Sequence, residues 1–257
     1  MTPRDRRHPG GHCQQNADAP GTAAILAAIA SKTPTPPGTA AILAAIASKM
    51  LALPTNPKPR NTPKGWHSRG YLPHLDAPGV YQAITFRLHD SVPAHVIQRW
   101  KEELHWRADL PSDDPILTKL RGRIAQYEDA GHGACWLRDQ RIAALVESAL
   151  LYFDGQRYRL LAWCIMPNHV HVLIETFPGY PLHNVVHSWK SFTALQANRL
   201  LGRQGSFWAR DYYDRYIRND AHLAQTIVYI EQNPVKAGLV PVAEAWPFSS
   251  ASKKAAR

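Results

Sequence analysis

Along Tyr81–Leu88 the chain alternates, with Gln82, Ile84, Phe86 and Leu88 on one side, and this period of two predicts a strand. After Pro93, which suits a first helical turn, Val96, Ile97, Trp100 and Leu104 recur at helical spacing. Residues 108–135 mix Pro, Asp and Gly without a clean period and read as an irregular insertion with a short helix near Ile116–Tyr127. A further helix is expected over Asp139–Phe153, where Ile142, Leu145, Val146, Ala149 and Leu150 share a stripe.

Two apolar runs then follow, Tyr158–Met166 and His169–Glu175, joined by Pro167-Asn168, and they predict an antiparallel hairpin. In the second run Val170, Val172 and Ile174 share the face expected to be buried, while His169, His171, Leu173 and Glu175 share the other. A long amphipathic helix over Leu182–Leu201 ends at Gly202 and Gly205. A last one, Asp220–Gln232, carries a stripe of Leu223, Ile227 and Ile230 and stops at Pro234. Interleaved strands and helices with an antiparallel pair predict an α+β domain, a central sheet with helices packed on it.

The amino-terminal part differs. Gly21–Lys32 recurs without change as Gly38–Lys49, an Ala-rich apolar segment bounded by Pro or Gly, too short to span a membrane and too few copies for a solenoid. The arginines near the start are separated from it by polar residues, which argues against a secretory signal. Residues 1–60 are therefore expected to be a weakly ordered, low-complexity extension closed by the Pro-rich stretch Leu53–Arg60, and residues 61–257 the folded domain.

The formal charge of +10 favours polyanionic partners. Residues 1–70 hold nine Lys or Arg against two Asp or Glu, however, so +7 of it belongs to that segment, where a solvated tail and a DNA-binding arm are equally open readings. Cys13, Cys135 and Cys164 are widely spaced, with no CxxC pair, so neither a disulfide framework nor a cysteine-rich zinc site is expected, and a reduced, cytoplasmic protein fits best.

The candidate chemistry lies on the second hairpin strand and the last helix. His169 and His171 stand about 7 Å apart along one face, close enough to converge on one cation. Tyr229 and Asn233 are one turn apart on a flank of the helix away from its apolar stripe, so a phenol and an amide oxygen face one place. Asn233 could complete an oxygen and nitrogen ligand set with the two histidines, leaving open positions as Mg²⁺ or Mn²⁺ chemistry requires. Spacing alone leaves a second reading open, with Tyr229 as a packing aromatic and Asn233 as a cap before Pro234.

In this order the residues resemble the REP-associated tyrosine transposases, relatives of insertion-sequence transposases within the HUH single-strand nucleases. The resemblance runs through Gly70–His74, Tyr81–Pro93, Trp163–Ile174, Ser188–Phe192, Phe207–Arg218, Tyr229–Leu239 and Trp246–Ser250, and it is most specific in MPNHVHVLI combined with YIEQNPVKAGL. It implies a ferredoxin-like antiparallel sheet with helices on one side, metal ligands at His169, His171 and Asn233, and a nucleophile at Tyr229. The implied substrate is single-stranded DNA folded into a palindromic hairpin, cut through a 5′-phosphotyrosine intermediate. A homodimer and a catalytically inactive hairpin-binding relative both remain open.

Among the cations, Lys190, Arg210, Arg215, Arg218 and Lys236 are candidates for phosphate contact, interleaved with aromatics that could stack on bases. Tyr212, Tyr213 and Tyr216 are rival nucleophiles, and Glu175 a further candidate ligand. Trp189 lies on an apolar stripe and is expected to pack; His183 and His187, one turn apart, are expected to be surface or DNA-contacting residues.

Overall fold

A computed structural model describes residues 65–68, 73–107, 109–111 and 114–255. The expected extension over residues 1–60 lies outside the described residues. A short antiparallel pair, β1 (Gly65–Ser68) and β2 (Pro73–Asp76), precedes the main sheet of β3 (Tyr81–Arg87), β4 (Tyr158–Ile165), β5 (His169–Thr176) and β6 (Tyr213–Tyr216). The helices are α1 (Ala94–Glu103), α2 (Pro115–Asp129), α3 (Gln140–Leu151), α4 (Leu182–Leu200), α5 (Asp220–Glu231), α6 (Asn233–Lys236) and α7 (Ser250–Ala255).

The main sheet has the order β4-β5-β3-β6 with every neighbouring pair antiparallel. Strands β3, β4, β5 and β6, with helices inserted after the first and the third, give the βαββαβ connectivity of a ferredoxin-like fold. This places β3 and β5 in the middle, the strands best shielded from water. The register sets Thr85 opposite His171 and Arg87 opposite His169.

The two faces of the sheet are both covered. On the face of Val170, Val172 and Ile174, Trp189 of α4 is 2 % exposed, packs on Phe86 and donates its indole N–H to the Tyr158 hydroxyl at 2.9 Å. On the same face Trp163 donates to Glu147 of α3. The packing expected of Trp189 is therefore present.

On the opposite face, Leu223, Ile227 and Ile230 of α5 pack over Ala162, Cys164 and Leu173. The expectation of one buried face, and of helices on one side, is corrected here: α5 packs on this second face, and His169 and His171, which lie on it, are 1 % and 6 % exposed.

The helix expected near Ile116–Tyr127 is present and slightly longer, whereas one strand of the sheet lies in a segment left unassigned. Residues 115–129 form a full helix, begun by Asp114, whose side chain accepts from the Ile116 N–H at 2.7 Å, and by Pro115 in the first turn. Leu120 and Ile124 then pack against Val92, Val96 and Ile97 of the segment around α1. The four residues of β6 have no alternating apolar pattern, and β3 supplies the template that makes them a strand. Pro234 ends α5, as expected, but opens the short α6.

A buried ionic cluster fastens β2 to this frame. His74, fully buried, bridges Asp214 and Asp211, the latter at 2.9 Å, while Asp214 also accepts from the Leu75 N–H. Asp76 accepts from the Leu182 N–H at 2.8 Å, capping the N-terminus of α4 from another element. Among the described residues, no helix is long and apolar enough to cross a membrane.

Candidate active site

Because β5 is central and its side chains alternate, His169 and His171 project side by side beneath α5, with their Nε2 atoms 2.9 Å apart. Each ring is held from its other nitrogen. His169 Nδ1 lies 2.7 Å from the Asn168 amide oxygen, and His171 Nδ1 lies 2.9 Å from the Thr85 hydroxyl. An amide oxygen only accepts, so His169 carries its proton on Nδ1 and presents a bare lone pair at Nε2. The Thr85 hydroxyl can accept as well as donate, which allows His171 to turn a second bare nitrogen to the same point.

Electrostatics favours the neutral rings. Burial pushes His169 well below its ordinary range, with His171 and Arg87 adding to the effect. Burial and then the Lys236 ammonium lower His171 to about 4. Neutral imidazoles oriented through Nδ1 are the form that coordinates a cation.

A carboxylate joins them. Asp129, at the end of α2, brings Oδ1 to 3.7 Å from His169 Nε2, and the ligand atoms of Asp129, His169 and His171 all lie within 4.8 Å of one another. Burial raises the Asp129 carboxyl above its ordinary value, and Lys236 offsets part of that. Two imidazole nitrogens and one carboxylate oxygen, with room beside them, fit a divalent cation that keeps open positions.

Asn168 couples the two halves of this cluster. Its amide oxygen holds His169, while its amide nitrogen donates to the Glu128 and His132 carbonyls at 3.1 and 2.9 Å. The hairpin turn is thereby tied to the end of α2 that carries Asp129. Glu128 itself points inward to Arg87, 3.6 Å away; burial raises its carboxyl to about 7 against the pull of that guanidinium.

Tyr229 comes down from α5 with its ring edge against His171, centroids 5.7 Å apart, and remains 40 % exposed. Lys236 on α6 sets its ammonium 4.6 Å from the Tyr229 ring. Burial raises the phenol above its ordinary range, Asp129 adds to this, and the Asn233 side chain opposes it. Asn233 is buried and donates its amide N–H to the Tyr229 carbonyl at 3.2 Å, holding the junction of α5 and α6.

Thus the fold brings His169, His171, Tyr229 and Lys236 together and sets Asn233 beside Tyr229. A cleft of about 420 Å³ opens from His171, Asp129 and Tyr229 and is also lined by Arg121, Tyr213 and Arg215. Of the rival tyrosines, Tyr213 faces this cleft, Tyr212 is buried against His74, and Tyr216 lies beside Arg218.

Other candidates lie elsewhere. Lys190 and Arg210 line a separate groove along α4, where Lys190 donates to the Arg210 carbonyl at 2.9 Å. Glu175, six residues along β5 from His169, pairs with Arg159. His183 pairs with Asp76 and His187 with Ser191, so these two do not converge on one point.

Asp129, Asn168 and Thr85 escaped sequence reasoning. Asn168 was visible only as a turn residue. Asp129 precedes the histidine pair by forty positions, and nothing in its local pattern points to it.

Residues 137–233 match the family model for IS200-like transposases. A curated protein of Haemophilus influenzae, assigned by name to the REP-associated tyrosine transposases, is 33% identical over 104 residues, which are 36% of this chain and 58% of that protein. The REP-associated tyrosine transposase of Escherichia coli K12 is 29% identical over 100 residues, 39% of this chain and again 58% of the relative. The chain therefore spans somewhat more than half the length of these curated relatives. Among solved structures, a REP-associated tyrosine transposase bound to a REP hairpin aligns with a TM-score of 0.43 and 20% identity, covering 74% of this chain and 85% of that one. The segment that matches the IS200-like transposase family model is thus the one that bears both histidines, Tyr229 and Asn233.

Proposed function

We propose that this protein is a metal-assisted single-strand DNA endonuclease and strand transferase, with Tyr229 as the nucleophile and the folded domain over residues 61–257 as its catalytic unit. The observation that carries this reading is the convergence of His169, His171, Asp129, Lys236 and the Tyr229 ring at one end of a cleft. The names of the curated relatives, REP-associated tyrosine transposases, support REP DNA as the substrate.

In this reading His169, His171 and Asp129, with Asn233 as a further candidate ligand, hold a Mg²⁺ or Mn²⁺ ion. When bound, the ion supplies positive charge against the phosphate oxygens as charge gathers there. Asn168 and Thr85 keep both imidazoles aimed and in the coordinating tautomer. Lys236 adds a fixed ammonium beside the phenol and is the candidate group for a phosphate oxygen.

The Tyr229 oxygen attacks phosphorus, releasing its proton to water; the bond from phosphorus to the 3′ oxygen breaks and that oxygen takes up a proton. A 5′-phosphotyrosine and a 3′-hydroxyl result. The phosphoester energy is retained in the covalent link, and the reverse attack by a 3′-hydroxyl rejoins the strand. A phenol serves where water would not, because hydrolysis leaves nothing to rejoin.

The test is incubation with single-stranded oligonucleotides carrying the palindromes that flank the gene, with Mn²⁺, followed by a denaturing gel. The expected result is a covalent protein–DNA adduct that disappears in Tyr229→Phe. Cleavage undiminished in Tyr229→Phe would overturn the assignment, and an adduct retained there but lost in Tyr213→Phe would transfer the role to Tyr213. Bound but uncut DNA would leave a hairpin-binding protein without nuclease chemistry.

A further inference from the structure

The cleft beside Tyr229 is larger than the metal cluster requires, and its far end is built of different residues. Along α5, His222, Gln225, Thr226 and Tyr229 share one face that lines it, as i, i+3, i+4 and i+7 positions do. Ala83, Ile124, Ala125 and Ile230 form apolar walls. Across from α5, the Arg121 guanidinium sits 5.1 Å from the centre of the Tyr213 ring, and its buried Nε has no hydrogen-bond partner.

The charges divide in a telling way. Of the carboxylates lining the cleft, Glu128 is turned to Arg87 and Asp211 is bridged to His74, while Asp129 stands with the histidines. Arg121 and Arg215 remain as the cations of the far end. An aromatic face with guanidinium groups around apolar walls is the chemistry that takes a nucleobase and its phosphate. A volume of about 420 Å³ has room for one nucleotide, not a duplex.

Gly122 supplies the independent observation. It lies inside α2, where glycine is the least favourable residue apart from proline, and its backbone is helical, so no turn requires it. A Cβ placed there would meet nothing within 4 Å, so no close packing requires it either. It does line the cleft, so the missing side chain leaves space there.

Resting on the endonuclease reading above, we propose that this cleft is a subsite for one unpaired nucleotide adjoining the scissile phosphate, its base stacked at Tyr213 and its phosphate held by Arg121 and Arg215. Strand selection then includes a base read by protein, next to the point where the chain is cut.

The experiment uses the full chain with Mn²⁺ and a single-stranded oligonucleotide carrying iododeoxyuridine in place of thymidine, photolysed and mapped by mass spectrometry. Tyr213 is expected to be the crosslinked residue. Gly122→Leu, which puts a side chain into the cleft, should lower that crosslink at least about fivefold, the loss of one base–aromatic contact. Its melting temperature should be no lower than that of the parent, since leucine is the better helix residue. DNA that binds without labelling Tyr213, or a Gly122→Leu protein that labels it undiminished, would overturn the subsite. Adduct formation at Tyr229 is read on the same samples. Crosslinking at Tyr213 without any adduct would leave the subsite standing and sink the endonuclease reading; an adduct formed equally by Gly122→Leu and parent would do the reverse.

Discussion

His169 and His171 bring their Nε2 atoms to 2.9 Å while their Nδ1 atoms are tied to Asn168 and Thr85. Two neutral rings so aimed gain from a cation at the shared point, and ligand binding to the folded state alone stabilises it by mass action. Mn²⁺ should therefore raise the melting temperature of the parent protein, and His169→Ala or His171→Ala should abolish the rise. A metal-induced shift of the same size in both variants would show that the ion binds elsewhere.

Asn168 touches no candidate ligand atom other than through its neighbour, so its substitution isolates orientation from coordination. Asn168→Ala frees the His169 ring and unties the end of α2 from the hairpin turn. Loss of an outer partner of this kind lowers metal affinity about 10–100-fold. Calorimetric titration with Mn²⁺ checks this, and unchanged affinity would make the amide a turn residue only.

Asp129 and Asn233 compete for the place of the oxygen ligand. Asp129→Asn removes the carboxylate that the fold puts 3.7 Å from His169 and should weaken Mn²⁺ binding by about 10-fold or more, roughly 1.4 kcal/mol. Asn233→Ala should weaken it comparably only if the amide coordinates; a loss of adduct with metal affinity intact would assign Asn233 to holding Tyr229 instead. Unaltered affinity in Asp129→Asn would remove the carboxylate from the site.

Lys236 stands against the Tyr229 ring and acts electrostatically on both His171 and Asp129. Lys236→Ala should slow adduct formation by about 100–1000-fold, in the range expected when one preorganised group facing developing charge is lost. Lys236→Arg should recover part of the rate. Single-turnover gels measure both, and a silent Lys236→Ala would exclude the ammonium from the reaction.

His74 makes a prediction about pH. Its burial opposes charge, but its hydrogen bonds to Asp211 and Asp214 and their charges outweigh that and lift it to about 9 from an ordinary 6.5. A raised folded-state value means that the stabilisation is complete below 6.5 and is lost as pH rises through about 9. His74→Gln should thus lower stability by up to about 3 kcal/mol at pH 6, with a difference from the parent that shrinks toward pH 10. A difference in melting temperature independent of pH would mean that His74 is neutral in its cluster.

The division between sequence and tertiary structure falls along the range of the forces involved. Alternation and helical stripes are local, so β3, β4, β5, α3, α4 and α5 were legible from the pattern alone, as was the shared strand face of His169 and His171. Helix α2 was half visible, its period blurred by Gly122 and the charged residues that line the cleft. Strand β6 was invisible, because its residues extend only when β3 offers backbone partners.

What only the fold decided is which distant groups share the site. Nothing within forty residues of the histidines marks Asp129, and the closing of α5 over their face depends on Leu223, Ile227 and Ile230 finding Leu173. That packing, long-range in the chain and short-range in space, turns two histidines on a strand into half of a buried pair facing Asp129, Tyr229 and Lys236.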